Sequence, residues 1–228
     1  MKAMKSRVIQ TGIIVVCAMV CVATVHAAEK TALKVELPKP MFVGTPKNIK
    51  TENLERPLRP GRKRPEILVP AGVTIVSKGK TVTGSDTLPI IGDMELLTDG
   101  DKEGSDGSYT EFGPGQQHVQ IDLGETCEIY AIAVWHYHAQ ARVYRDMVVQ
   151  IGQDADFITD VETVFNNDHD NSAGLGIGKD KEYIETNSGR VIDTKGKKGR
   201  FVRLYSNGST AGEMNHYIEV EVFGKPAS

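Results

Sequence analysis

Between Trp135 and Arg145 the chain gathers three aromatic residues (Trp135, Tyr137, Tyr144), two histidines (His136, His138) and two arginines (Arg142, Arg145) within eleven positions. Flat aromatic faces pack on C–H surfaces, and planar guanidinium groups donate to pairs of hydroxyls. The mixture therefore suits recognition of a sugar, with His136, His138, Arg142 and Arg145 as candidate ligand-binding residues. On a strand, His136 and His138 would share a face. A zinc pair is disfavoured because no further ligand stands at suitable spacing nearby. The alternative is that Trp135 and Tyr137 pack in a core while the two histidines make structural hydrogen bonds. A second polar stretch runs from Ser206-Asn207-Gly208-Ser209 to Asn215-His216. Asn207 and Asn215 there offer amide contacts from a neighbouring loop, or serve only as turn residues.

Two acidic clusters stand out. Asp99 and Asp101 flank Gly100, which lets the chain fold back so that nearby carbonyls converge, and Ser108 or Thr110 could add an oxygen. Calcium takes six to eight hard oxygen ligands of this kind; a solvated acidic turn fits the same residues. The second cluster, Asp168-His169-Asp170-Asn171, has Ala173 and Lys179 where a calcium-binding EF-hand loop needs glycine and glutamate. That loop type is excluded, and a turn or rim loop is the expectation. Catalytic signatures are missing. There is no Gly-x-Ser-x-Gly or His-Glu-x-x-His motif, and the Gly174–Lys179 stretch departs from a phosphate-binding loop at Ala173 and Asp180. The sequence is read as non-catalytic.

The elements that must position these residues are short strands. Val119, Ile121 and Leu123 alternate with Gln120 and Asp122, the period of a half-buried strand. Ile129–Trp135, Met147–Ile151, Phe201–Tyr205 and Ile218–Phe223 read as further strands, and Val73–Val76 with Lys80–Thr83 as a first strand pair. Nothing keeps a helical period over a useful length. The expectation is an all-β, antiparallel β-sandwich of jelly-roll type spanning residues 72–225, with a short tail at 226–228.

Ahead of that domain the composition differs. Lys2, Lys5 and Arg7 precede an apolar run at Ile13–Val25, and Val25-His26-Ala27 supplies small residues for cleavage. Residues 1–27 thus read as a signal peptide and the chain as secreted, periplasmic or part of the cell envelope. A spanning anchor would need a longer run, so no transmembrane segment is expected in the mature chain. Cleavage would leave Cys127 as the sole cysteine and no intrachain disulfide. Residues 28–71 carry ten Lys and Arg against five Asp and Glu, and seven of the ten prolines fall between Pro38 and Pro70. This basic, proline-rich arm is expected to be extended and solvated, although the apolar Leu37–Val43 stretch could dock. Residues 72–228 carry fourteen basic against twenty-five acidic residues, which excludes the basic face a nucleic-acid binder needs.

Four segments together resemble the discoidin, or factor V/VIII type C, domains of the galactose-binding-like superfamily, which includes many carbohydrate-binding modules. Gly79–Ser85 is similar to the family's opening segment and Leu97-Thr98-Asp99-Gly100-Asp101 to its Asp-Gly-Asn loop. His118–Gly124 is similar to its Trp-hydrophobic-Gln-hydrophobic-Asp-Leu-Gly strand, with His118 in place of Trp. Phe201–Leu204 and Tyr217–Gly224 are similar to its closing strands. The resemblance implies a structural calcium held by Asp99, Asp101, Ser108 and, as the C-terminal carboxylate, Glu219. It also implies a carbohydrate or cell-surface glycan as partner. The alternative is an envelope domain that engages a protein through its basic arm and binds no sugar.

Overall fold

The computed structural model describes residues 30–42, 44, 46–56 and 65–227. The expected signal peptide lies outside them. Eleven strands account for the architecture: β1 Lys30–Ala32, β2 Leu68–Pro70, β3 Thr74–Ile75, β4 Thr81–Gly84, β5 Thr110–Phe112, β6 Gln117–Trp135, β7 Val148–Gly152, β8 Glu162–Asn166, β9 Arg190–Ser206, β10 Asn215–Tyr217 and β11 Glu219–Pro226. Among the described residues the one helical piece is a 3-10 turn at Met94–Thr98, and no helix is long and apolar enough to cross a membrane. All strand pairings are antiparallel.

Two long strands organise the domain. β6 and β9 pair along most of their length, with a break in register between Asp122 and Cys127. The first half of β6 pairs with β4 and the second half with β11, while the end of β9 continues into β7 and β8. The alternating residues of both halves meet in one core: Val119, Ile121, Val202 and Leu204 from one, Ile132, Val134, Val220 and Val222 from the other. The two halves therefore face each other as the layers of a sandwich. At the corner, Asp122 takes both Nε and Nη2 of Arg200 at 2.7 Å. These hydrogen bonds hold the Asp122 carboxyl below its usual range. Gly199 is required beside this corner, because a Cβ there would stand 2.2 Å from Ile151 Cγ2. Cys127 is free and buried, and burial pushes its thiol pKa up.

The strands expected at Val73–Val76 and Lys80–Thr83 form, but not as a pair. β3 joins β11 and β4 joins β6. The Ser77–Lys80 turn, with Gly79 at φ 66°, delivers the chain from one layer to the other instead of closing a hairpin.

Part of the basic arm is packed on the sandwich, not solvated. β1 and β2 form a separate ribbon. Leu33, Val35 and Ile67 lie against a second apolar cluster of Ala131, Ala133, Trp135, Ile218 and Phe223 on the outer face of β6 and β11. The arm docks through these residues, while Leu37 and Met41 remain exposed. Further on, Glu55 N donates to the Glu182 carbonyl, and Glu55 takes Arg190 Nη2 at 2.9 Å.

Candidate functional site

The connections that leave β6, β9 and β5 are sewn together by main-chain hydrogen bonds at one end of the sandwich. Arg145 N donates to the Gly208 carbonyl, Asn207 N to the Arg145 carbonyl, Thr210 N to the Val143 carbonyl, and Glu185 N to the Arg142 carbonyl. Asn215 is the staple between three of these segments. Its Oδ1 accepts from Ser206 Oγ and Gly208 N, both at 2.8 Å, and its Nδ2 donates to the carbonyls of Gly113 and Gly115 at 2.9 Å. Gly189 lets the next loop close over Trp135; a Cβ there would meet the Val134 carbonyl at 2.6 Å. In the same loop the Asn187 carbonyl accepts from the Trp135 indole at 2.9 Å.

The residues expected to touch a ligand separate into two groups. His136 is fully buried, stacked on Tyr144 at 4.4 Å, with Nδ1 2.7 Å from Glu185 Oε1. His138 is fully buried with Nε2 2.9 Å from the Lys102 carbonyl. Asn215 is buried at the staple. These three shape the loop end and present no atom to a ligand there. Burial alternates along the segment that follows Trp135, with His136 and His138 inside and Tyr137 half-buried between them. Arg145 and Asn207 stay at the rim, whereas Arg142 is largely buried, 7% exposed, just beneath it. The Arg142 guanidinium lies 4.5 Å over the Tyr137 ring, Arg145 is exposed, and Asn207 Nδ2 donates to Asp146 Oδ2 at 2.9 Å.

The fold adds three residues that sequence reading did not single out. β10 pairs with β5 in a register that sets His216 opposite Glu111, and His216 Nε2 lies 2.9 Å from Glu111 Oε2. Tyr109, just ahead of β5, meets Tyr137 edge to face at 5.0 Å and His216 at 5.9 Å. Tyr137 and His216 are 5.7 Å apart. Tyr109, Tyr137, Glu111 and His216 are all half-buried. Burial, aided by the Arg142 charge, pulls the His216 pKa down against the pull of Glu111. Burial and the Glu111 charge push the Tyr109 pKa up. The result is a neutral-leaning aromatic patch edged by a guanidinium and a carboxylate. No sequence signal linked these residues, because β5 and β10 are three-residue strands separated by more than a hundred positions.

The acidic loop and the last strand come together. Gly100 N donates to Glu219 Oε2 at 3.1 Å across 119 residues. Glu219 is buried, and desolvation, reinforced by Asp99 and Glu221, pushes its pKa up to about 8. A buried carboxylate crowded by two others is a place where a cation would relieve repulsion, and the Asp99 and Glu219 carboxylates are hard oxygen donors of the kind calcium takes. Asp101 and Ser108 are bonded to each other, Ser108 Oγ donating to Asp101 Oδ2 at 3.0 Å. Asp101 Oδ1 accepts Glu103 N. These two would have to reorganise to join the ion. Among the described residues, a group of three carboxylates with ligand atoms within 4.8 Å of one another is Asp146, Asp168 and Asp170. There Asp168 caps the main-chain N–H groups of Ser172 and Ala173.

No protein-family model matches the chain, and no curated protein matches it in sequence. Solved structures do match. A family 89 glycoside hydrolase from Clostridium perfringens, in complex with 2-acetamido-1,2-dideoxynojirmycin, aligns with 67% of this chain at 17% identity and a TM-score of 0.50. The aligned part makes up 15% of that hydrolase. A fucose binding module from Streptococcus pneumoniae aligns with 65% of this chain and 96% of its own at 21% identity and a TM-score of 0.45. A C. perfringens module in complex with GlcNAc-alpha-1,4-galactose aligns with 68% of this chain and 96% of its own at 14% identity and a TM-score of 0.48. At these identities the likeness speaks for the fold alone: the chain carries an antiparallel β-sandwich.

Proposed function

We propose that this chain is an exported, non-catalytic module that recognises carbohydrate, in a surface or extracellular polysaccharide, at the loop end of the sandwich. The carrying observation is the half-buried cluster of Tyr109, Tyr137 and His216, with Arg142 stacked on Tyr137 and Glu111 bonded to His216. Aromatic faces accept the C–H side of a sugar ring, and the guanidinium and carboxylate at their edge pair with its hydroxyls. Arg145 and Asn207 extend the polar rim, while His136, His138 and Asn215 act by holding the loops in place. The discoidin-like sequence segments support the same reading. A structural calcium, on Asp99 and Glu219 with Asp101 and Ser108 recruited, would tie the first acidic loop to the last strand.

A glycan array followed by calorimetry on the best polysaccharide tests the assignment. Tyr109→Ala and Tyr137→Ala should each weaken binding about tenfold, the ~1.4 kcal/mol expected when one stacking face is lost. A folded wild-type protein that binds nothing across the array overturns the proposal.

A further inference from the structure

Away from the loop end, a cleft of about 510 Å³ lies where the arm crosses the outer face of β11. Leu33 of the arm, Val69, Val73 and Phe223 form apolar walls, and Lys102 and Glu221 provide the polar surface. Small-molecule sites commonly enclose a few hundred cubic ångströms of this mixed character, roughly 300–1,000 Å³. Glu221 is the informative residue. Its side chain is 3% exposed, Oε1 takes the Lys102 ammonium at 2.6 Å, and Oε2 is buried with no hydrogen-bond partner. A buried carboxylate oxygen without a donor costs about 1–3 kcal/mol or more, so this atom calls for a donor from outside the protein.

The surroundings restrict what that donor belongs to. Among the residues that line the cleft, which do not include Asp99 or Glu219, Lys102 balances the Glu221 charge, so a cation inside the cleft would sit against an ammonium, and an anion would meet the carboxylate. At the mouth, Lys34 and Glu36 also cancel. The donor is therefore uncharged, which leaves a hydroxyl or an amide N–H, and the apolar walls need a C–H surface to cover them. A single water would satisfy Oε2, but its share of volume, about 30 Å³, is a small part of the cleft.

We propose that the cleft between the arm and β11 is a second binding site, taking a neutral, hydroxyl-bearing molecule of the size of a sugar unit, with one hydroxyl donating to Glu221 Oε2. The site is independent of the loop-end patch, and half of its wall exists only because the arm is docked.

Methyl-resolved NMR of the full chain, titrated with methyl glycosides of neutral hexoses and in parallel with the corresponding oligosaccharides, tests the assignment. The methyl signals of Val69, Val73 and Ile75 should move on titration. Glu221→Gln should weaken that response about tenfold or more, and Thr74→Trp, an exposed position on the cleft wall, should abolish it. In Tyr137→Ala the same signals should still move, which separates failure of this site from failure of the loop-end reading. Equal responses to free sugar and oligosaccharide identify a free-sugar site; a response to the oligosaccharide alone identifies a chain-end site. Wild-type methyl signals that stay fixed at millimolar ligand, or that still move in Thr74→Trp, overturn the proposal.

Discussion

Asn215 shows how much one side chain can decide at the loop end. It satisfies two donors and two acceptors in three segments while itself fully buried. Asn215→Ala would strand several of those groups and should lower stability by about 2–4 kcal/mol in a urea titration. A loss under about 0.5 kcal/mol, the scale of an ordinary surface substitution, would show that the loops hold without it. Sequence alone left Asn215 between ligand contact and turn residue, because its type and its neighbours suit both. His136 was equally open. Its partner Glu185 lies 49 residues away in the chain, so the sequence around it gave no sign of the pairing.

At the scale of elements, the arm is part of the fold. Leu33 and Val35 cover the apolar cluster around Trp135 and Phe223. Replacing both by serine removes apolar burial at roughly 25 cal/mol per Å². The double variant should lose about 2 kcal/mol of stability and become sensitive to protease within residues 30–56, measured by limited digestion with and without urea. Sugar binding at the loop end should survive, since the ring contacts and ion pair that hold Tyr109, Tyr137, Glu111 and His216 together come from outside the arm. The arm's prolines and charges gave the expectation of an extended, solvated segment. Its docking could not be read from them, because the contacting residues, Leu33, Val35 and Ile67, are too few and too scattered to show a period. Strand β8, at Glu162–Asn166, was missed for a similar reason: its residues alternate weakly, and it is fixed by pairing with β7.

At the scale of the whole molecule, Glu219 links pH and stability. Its pKa rises from an ordinary 4.5 to about 8 in the folded chain. Between those values the unfolded chain has released the proton and the folded chain retains it, so this group makes stability fall as pH rises through that window. Glu219→Gln should flatten this part of the melting-temperature profile, recorded by calorimetry without calcium. A calcium bound at Asp99 and Glu219 favours the ionised carboxylate, so added calcium should raise the melting temperature more at pH 8 than at pH 5, and not at all in Asp99→Ala. A wild-type protein whose melting is indifferent to chelator at pH 8 would remove calcium from the proposal.

Composition and local pattern determined the fold class, since alternation of apolar residues over β6, β9 and β11 has one compact solution when no helical period competes. The family resemblance gave the expectation that Asp99 and Glu219 are neighbours, and the hydrogen bond from Gly100 N to Glu219 joins those two segments. Which side chains face a ligand was settled only by tertiary structure. Exposure depends on how loops pack across one another, and contacts such as Tyr109 to Tyr137 and His216 to Glu111 join residues whose separation in sequence carries no periodic signal.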